Sequence, residues 1–218
     1  MNRNQILRWG GVASGAIMLA FGIAVIVLAL DGRSTVDSSL KQEKITGTPD
    51  MTPTAIKAEG AQAGLKDVNY PTCSVAGQVI DTGSEARCFA QYMNIHALEA
   101  TGGAVYSEMG RYAAKPDAPK SQLASGGGTD NAQYAETDPK TGQPVSNGAR
   151  DIWVTETALA TALNMSYMAT QLSLFSLVVG IALLLSGAGF VILALVGVPR
   201  TSAKKQTAAT PVPSTEGA

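Results

Sequence analysis

LSLFSLVVGIALLLSGAGFVILALVGVP, residues 172–199, runs for 28 positions without an Asp, Glu, Lys or Arg. About 20 apolar residues suffice for a helix to cross a hydrocarbon core, so this run spans even when tilted. The uncharged stretch opens earlier, at Thr157, and lasts 43 residues to Pro199. Upstream, Asp151 to Gln171 holds no Gly or Pro, so one helix is expected to begin near Ala149 and run straight into the bilayer. A second uncharged run, Trp9 to Leu30, has 22 residues, roughly 33 Å of helix and one bilayer core. Its competing reading is a cleaved signal peptide, with Arg3 and Arg8 as the basic region and Val27-Leu28-Ala29 as the cleavage pattern. Against that, the apolar run exceeds the roughly 7 to 15 residues of a signal core.

Composition agrees with these runs: 45% of the chain is hydrophobic and only 15% charged, against about 25% charged in soluble domains. The net charge of −1 comes with no basic stripe, so nucleic-acid binding is not expected. Charge also orients the spans. The two ends carry five basic residues (Arg3, Arg8, Arg200, Lys204, Lys205) against Glu216, whereas the stretch between the spans carries eleven against sixteen acids. Cytoplasmic flanks favour Lys and Arg. Both termini are therefore expected in the cytoplasm of a cell-membrane protein, with residues 31–168 outside. Trp9 and Tyr167 fall where interfacial aromatics sit.

Residues 31–49 lack periodicity and read as a linker. Thr52-Pro53 then signals an N-cap with proline at the first helical position, and Gly60 and Gly64 keep that helix short. NYPTC (69–73) reads as an extended strand, because Tyr70 precedes a proline. Cys73 and Cys88 are the only cysteines; in an extracytoplasmic segment they are most simply a disulfide, contributing about 3 kcal/mol. Thr82-Gly83-Ser84-Glu85 offers a capping box before a helix over about 84–100. Phe89, Tyr92, Met93, His96 and Ala100 share one face of it, and Gly102-Gly103 stops it. Residues 113–148 are rich in Gly, Pro, Ser and Asp and read as a mobile loop that adds little stability, so that deleting 121–135 would be tolerated. Ser146-Asn147 caps the second long helix.

The GTPDMTP (47–53), PTCSVAG (71–77), CFAQYMNIHALEATGG with VYSEMGRY (88–112) and ARDIWVTETALATALNMSYMA (149–169) segments together resemble a family of actinobacterial two-span membrane proteins of unknown function. The resemblance covers about two thirds of the chain. Members often carry the label aromatic ring-opening dioxygenase, which would imply Fe(II) held by two His and a carboxylate. His96 is the only histidine, and with Glu99 and Glu85 it makes at most a poor carboxylate-rich site, so neither metal nor cofactor is expected. There is no Gly-x-Ser-x-Gly elbow, and Gly126-Gly127-Gly128 lacks the strand, helix and Lys of a phosphate loop. Asp130, Glu136 and Asp138 lack the spacing of an EF-hand. Asn164-Met165-Ser166 is a chance sequon beside the bilayer. The chain is not expected to be an enzyme.

Small residues mark the spans. Gly11, Gly15, Gly187 and Gly189 would let helix backbones approach closely, either within one chain or between this chain and a second membrane protein. Neither span holds an ionisable residue for a transport path. The expected fold is mainly α: a two-helix transmembrane hairpin with a small disulfide-tied helical extracytoplasmic head and a long polar loop. Its parts are a cytoplasmic N-terminus (1–8), a first span (9–30), the head (52–112), the loop (113–148), a membrane-proximal helix (149–168), a second span (169–199) and a disordered cytoplasmic tail (200–218). Ile152, Leu159, Leu163 and Tyr167 give the membrane-proximal helix an apolar face whose nearest partner is the Phe89, Tyr92, Met93, His96 helix. The docked pair would form the interaction face. Two functions follow: a non-catalytic protein offering its head to an unknown membrane or envelope protein or to a second copy, or an extracytoplasmic small-ligand sensor using Tyr92, His96 and Tyr106.

Overall fold

The computed structural model describes residues 3–196, with side chains from residue 5 onward. The expected tail 200–218 and the last residues of the second span lie outside that range. The described chain is mainly helical: α1 (Arg3–Glu43), α2 (Pro53–Gln62), α3 (Gly83–Ala100) and α4 (Gly148–Val196), with three 3-10 turns between α3 and α4. No strand forms among the described residues; NYPTC is irregular, and the β pairing is confined to isolated bridges. Two helices, α1 and α4, are long and apolar enough to cross a membrane.

The chain divides into two compact units, Met1–Val25 with Val179–Ala218, and Ile26–Val178. In the first, α1 and α4 meet through small residues. A Cβ on Gly11 would lie 2.8 Å from that of Ala194, one on Gly15 would lie 2.7 Å from the Gly187 carbonyl oxygen, and one on Gly187 would lie 2.8 Å from the Gly15 oxygen. Gly22 approaches the Gly180 carbonyl in the same way, a contact the sequence reading omitted. Gly189, assigned to this packing from sequence, has no atom within 4 Å of its Cβ position. It lies three residues before Ile192 and two after Gly187, on a helix face turned from α1.

In the second unit the expected linker 31–49 is corrected: α1 continues to Glu43 and ends at Lys44, whose φ of 52° breaks the helix. The reason is packing. Val36 and Leu40, four residues apart, join the core that also holds Ile56, Ile80, Tyr92, Ile95 and Leu163, and their burial supplies what intrinsic propensity does not. Both sequence caps form. Thr52 Oγ1 accepts from Ala55 N–H, and Thr82 and Glu85 complete the reciprocal box at the start of α3. Gly102 and Gly103 follow α3 with φ of 64° and 83°. Cys73 and Cys88 are bonded. Beside them the Tyr92 hydroxyl, wholly buried, donates to the Cys73 carbonyl at 2.6 Å, fixing the irregular segment onto α3.

Residues 113–148 are also corrected. The segment is knit by backbone bridges, Tyr112 with Thr129 and Ser146, Ala114 with Ala135, and Thr137 with Pro144. Thr129 and Ala135 are fully buried; Thr129 Oγ1 donates to the Gln122 carbonyl at 2.7 Å and accepts from Asn131 N–H. Asn147 ties the segment to α4. Its Oδ1 caps Ala149 N–H while its Nδ2 donates to the Gly110 carbonyl. Gly, Pro and Ser here serve tight turns in a folded segment, whose order comes from backbone pairing.

Candidate functional site

The face proposed from sequence divides on inspection. Phe89, Tyr92 and Leu163 are buried in the core. Met93 and Leu159 pack against it half-buried, His96 is half-buried, and Ile152 is exposed. What was read as an interaction face is therefore largely internal core: Tyr92 reaches the Cys73 carbonyl, His96 reaches Asp50 and Glu59, and a seam runs between α3 and α4. The seam is tight at its start, where a Cβ on Gly83 would collide with Thr170 Oγ1 and come within 2.9 Å of the Ser166 carbonyl. Arg87 lies over the Tyr167 ring at 4.6 Å. Further along, buried Glu156 accepts from Asn94 Nδ2 at 3.5 Å, and burial raises its carboxyl above the ordinary range.

One group of side chains gathers around the single histidine. His96 lies on α3; Asp50 lies in the turn before α2, and Glu59 on α2. The histidine nitrogen, Nε2, is 3.0 Å from Asp50 Oδ2 and 4.0 Å from Glu59 Oε2. The three ligand-capable atoms all lie within 4.8 Å of one another. The 3.0 Å separation is a hydrogen-bond distance, and it makes Asp50 the nearest charged neighbour of the half-buried imidazole. One turn along α3, Glu99 Oε1 is buried without a donor.

The electrostatics match that crowding. The Thr48 hydroxyl, hydrogen-bonded to Asp50, holds its carboxyl below the ordinary range, and His96 adds to this. Burial raises Glu99; the nearby Glu59 and Asp50 carboxylates push it the same way, against His96. Local folding explains the convergence. The Thr52 cap fixes the start of α2, and Ile56, three residues before Glu59, is fully buried with Tyr92 and Ile95 of α3. The shared core thus brings Glu59 beside His96. Sequence reasoning found His96 and Glu99, three apart on one helix, and missed Asp50 and Glu59. Its Glu85 is bound instead in the capping box.

Fe(II) held by two histidines and a carboxylate does not fit this chain, which has one histidine; no ring-opening step follows from these residues. The chain matches no family model, no curated protein and no solved structure.

Proposed function

We propose that the chain is a non-catalytic integral protein of the cell membrane, both termini cytoplasmic and residues 31–168 outside, offering its disulfide-tied helical head to another membrane or envelope protein as an accessory subunit. The resemblance to actinobacterial two-span proteins belongs to the same proposal. One observation carries it. Along α1 and α4, large apolar side chains are exposed, among them Phe21 at 63%, Phe175 at 65% and Leu185 at 71%. The most apolar window of each helix is only 17% buried. In water such surface would be a severe aggregation liability; in lipid it is already solvated. The Gly11, Gly15 and Gly187 contacts support a transmembrane hairpin, because they use the small-residue faces within one chain and leave a homo-oligomer to form through others.

Protein contact is favoured over small-ligand capture by the small depression at His96 and by the open apolar surface at Tyr106. The depression between Met93, His96, Ile152 and Leu159 measures about 150 Å³, below the roughly 300 to 1,000 Å³ of ligand pockets. A solvent-open groove of about 710 Å³ lies elsewhere, at Leu65, Asn94, Leu98 and Val105. On α4, Trp153, Val154 and Ala158 form with Tyr106 a solvent-open apolar depression of about 540 Å³, ligand-sized in volume but open as interface surfaces are.

Single cysteines test the topology. Gln5→Cys, Lys120→Cys and Thr210→Cys are exposed one at a time to an impermeant thiol reagent in intact cells, with reaction expected at 120 alone. Labelling at either end would overturn this topology. A stoichiometric partner in a mild-detergent pull-down supports the subunit role; recovery of the chain alone counts against it.

A further inference from the structure

We propose that Asp50, Glu59 and His96 form a site for one first-row divalent cation, with Zn(II) best suited, which clips α2 to α3. The proposal stands on side-chain geometry and does not rest on the membrane topology.

Metal–ligand bonds of about 2.0–2.2 Å in a tetrahedral site place neighbouring donor atoms roughly 3.4 Å apart. The 3.0 and 4.0 Å separations from His96 Nε2 to Asp50 Oδ2 and Glu59 Oε2 bracket that value. An ordinary ion pair accounts for less of what is seen. It would engage Asp50 at 3.0 Å and hold Glu59 only at 4.0 Å. Among the described residues, neither Asp50 nor Glu59 has a Lys or Arg ion pair, so two carboxylates face one imidazole. A divalent cation supplies positive charge to all three ligands at once. Donor chemistry narrows the choice: an imidazole disfavours Ca²⁺ and Mg²⁺, and the oxygen-rich remainder disfavours soft Cu(I). Three protein donors leave the fourth position of a tetrahedral site to water. The side chains of Asp50, Glu59 and His96 are each about one-third exposed, leaving an entry path from solvent.

The test uses the full chain in mild detergent with any affinity tag removed. Calorimetric titration with Zn(II) is expected to show one equivalent bound, with Ca(II) binding much more weakly. Both His96→Gln and Glu59→Gln should weaken Zn(II) binding about tenfold or more, while Asp138→Asn, in the 113–148 segment, should not. Co(II) as a spectroscopic stand-in should give visible absorption bands of a tetrahedral site, lost in His96→Gln. Circular dichroism checks folding; should His96→Gln fail to fold, Glu59→Gln, which removes an anion from a crowded cluster, carries the comparison. Absence of binding, or binding of equal stoichiometry and affinity in the parent and the folded variants, overturns the proposal.

Discussion

Replacing Gly15 by leucine tests the close approach of α1 and α4 in the apolar unit. The first carbon added there would stand 2.7 Å from the Gly187 carbonyl oxygen and 2.7 Å from Val191 Cγ2, where ordinary contact begins at 3.4 Å. The shortfall obliges the helices to separate by about 0.7 Å for the Cβ alone, before three further carbons are placed, and overpacking of this kind costs about 1–3 kcal/mol. Gly10 is the control, because nothing lies within 4 Å of its Cβ position. Val12 and Leu195 border one small cleft of about 160 Å³. Cysteines at those two positions should cross-link on mild oxidation in the parent and in Gly10→Leu, and form the bond severalfold more slowly in Gly15→Leu. Equal rates in all three would refute close packing at Gly15.

Leu163, 2% exposed, should cost about 2–5 kcal/mol as Leu163→Ala and more as Leu163→Asp, read as a lower detergent-melting temperature. Glu85 is held below its ordinary 4.5: burial opposes this, but hydrogen bonds from Thr82 and Asp81 prevail. Its contribution is therefore present above pH 4.5 and lost as pH falls through the depressed value. Glu85→Gln should lower stability at neutral pH by about 1 kcal/mol and flatten the acid limb of the melting curve; an unchanged acid limb would remove Glu85 from that role. Thr129→Val keeps the shape but deletes two hydrogen bonds at a buried site, about 1–3 kcal/mol. Faster amide exchange at Tyr112 and Asn131 is the expected signature, and unaltered exchange would return 113–148 to the status of a loose loop.

Elements set by local chemistry were legible in the sequence. A Thr-Pro start, a Thr-x-x-Glu box, paired glycines after a helix and two long uncharged runs each act within a few residues, and each formed. Residues 31–43 were not legible, because only Val36 and Leu40 carry apolar signal and their burial depends on partners distant in the chain. Residues 113–148 were misread for a related reason. Composition reports turns, and it cannot report that Tyr112 will pair with Thr129 or that Asn147 will reach Gly110. The site was partly visible: His96 stood out as the single histidine, but Asp50 and Glu59 join it only after α2 folds onto α3. Gly189 failed as a packing residue because a small-residue motif marks a helix stretch, not the side that meets a neighbour.

The division into two compact units has an optical consequence. The chain has two tryptophans, and the units hold one each: Trp9, 69% exposed, in the first, and half-buried Trp153 in the second. Trp9→Phe leaves indole emission that reports only the unit with α2 and α3, and Trp153→Phe leaves emission that reports only the other. A protein with two such units need not melt in a single two-state step. Fluorescence from the two single-tryptophan chains, heated in parallel, would resolve the order in which they come apart without any added dye.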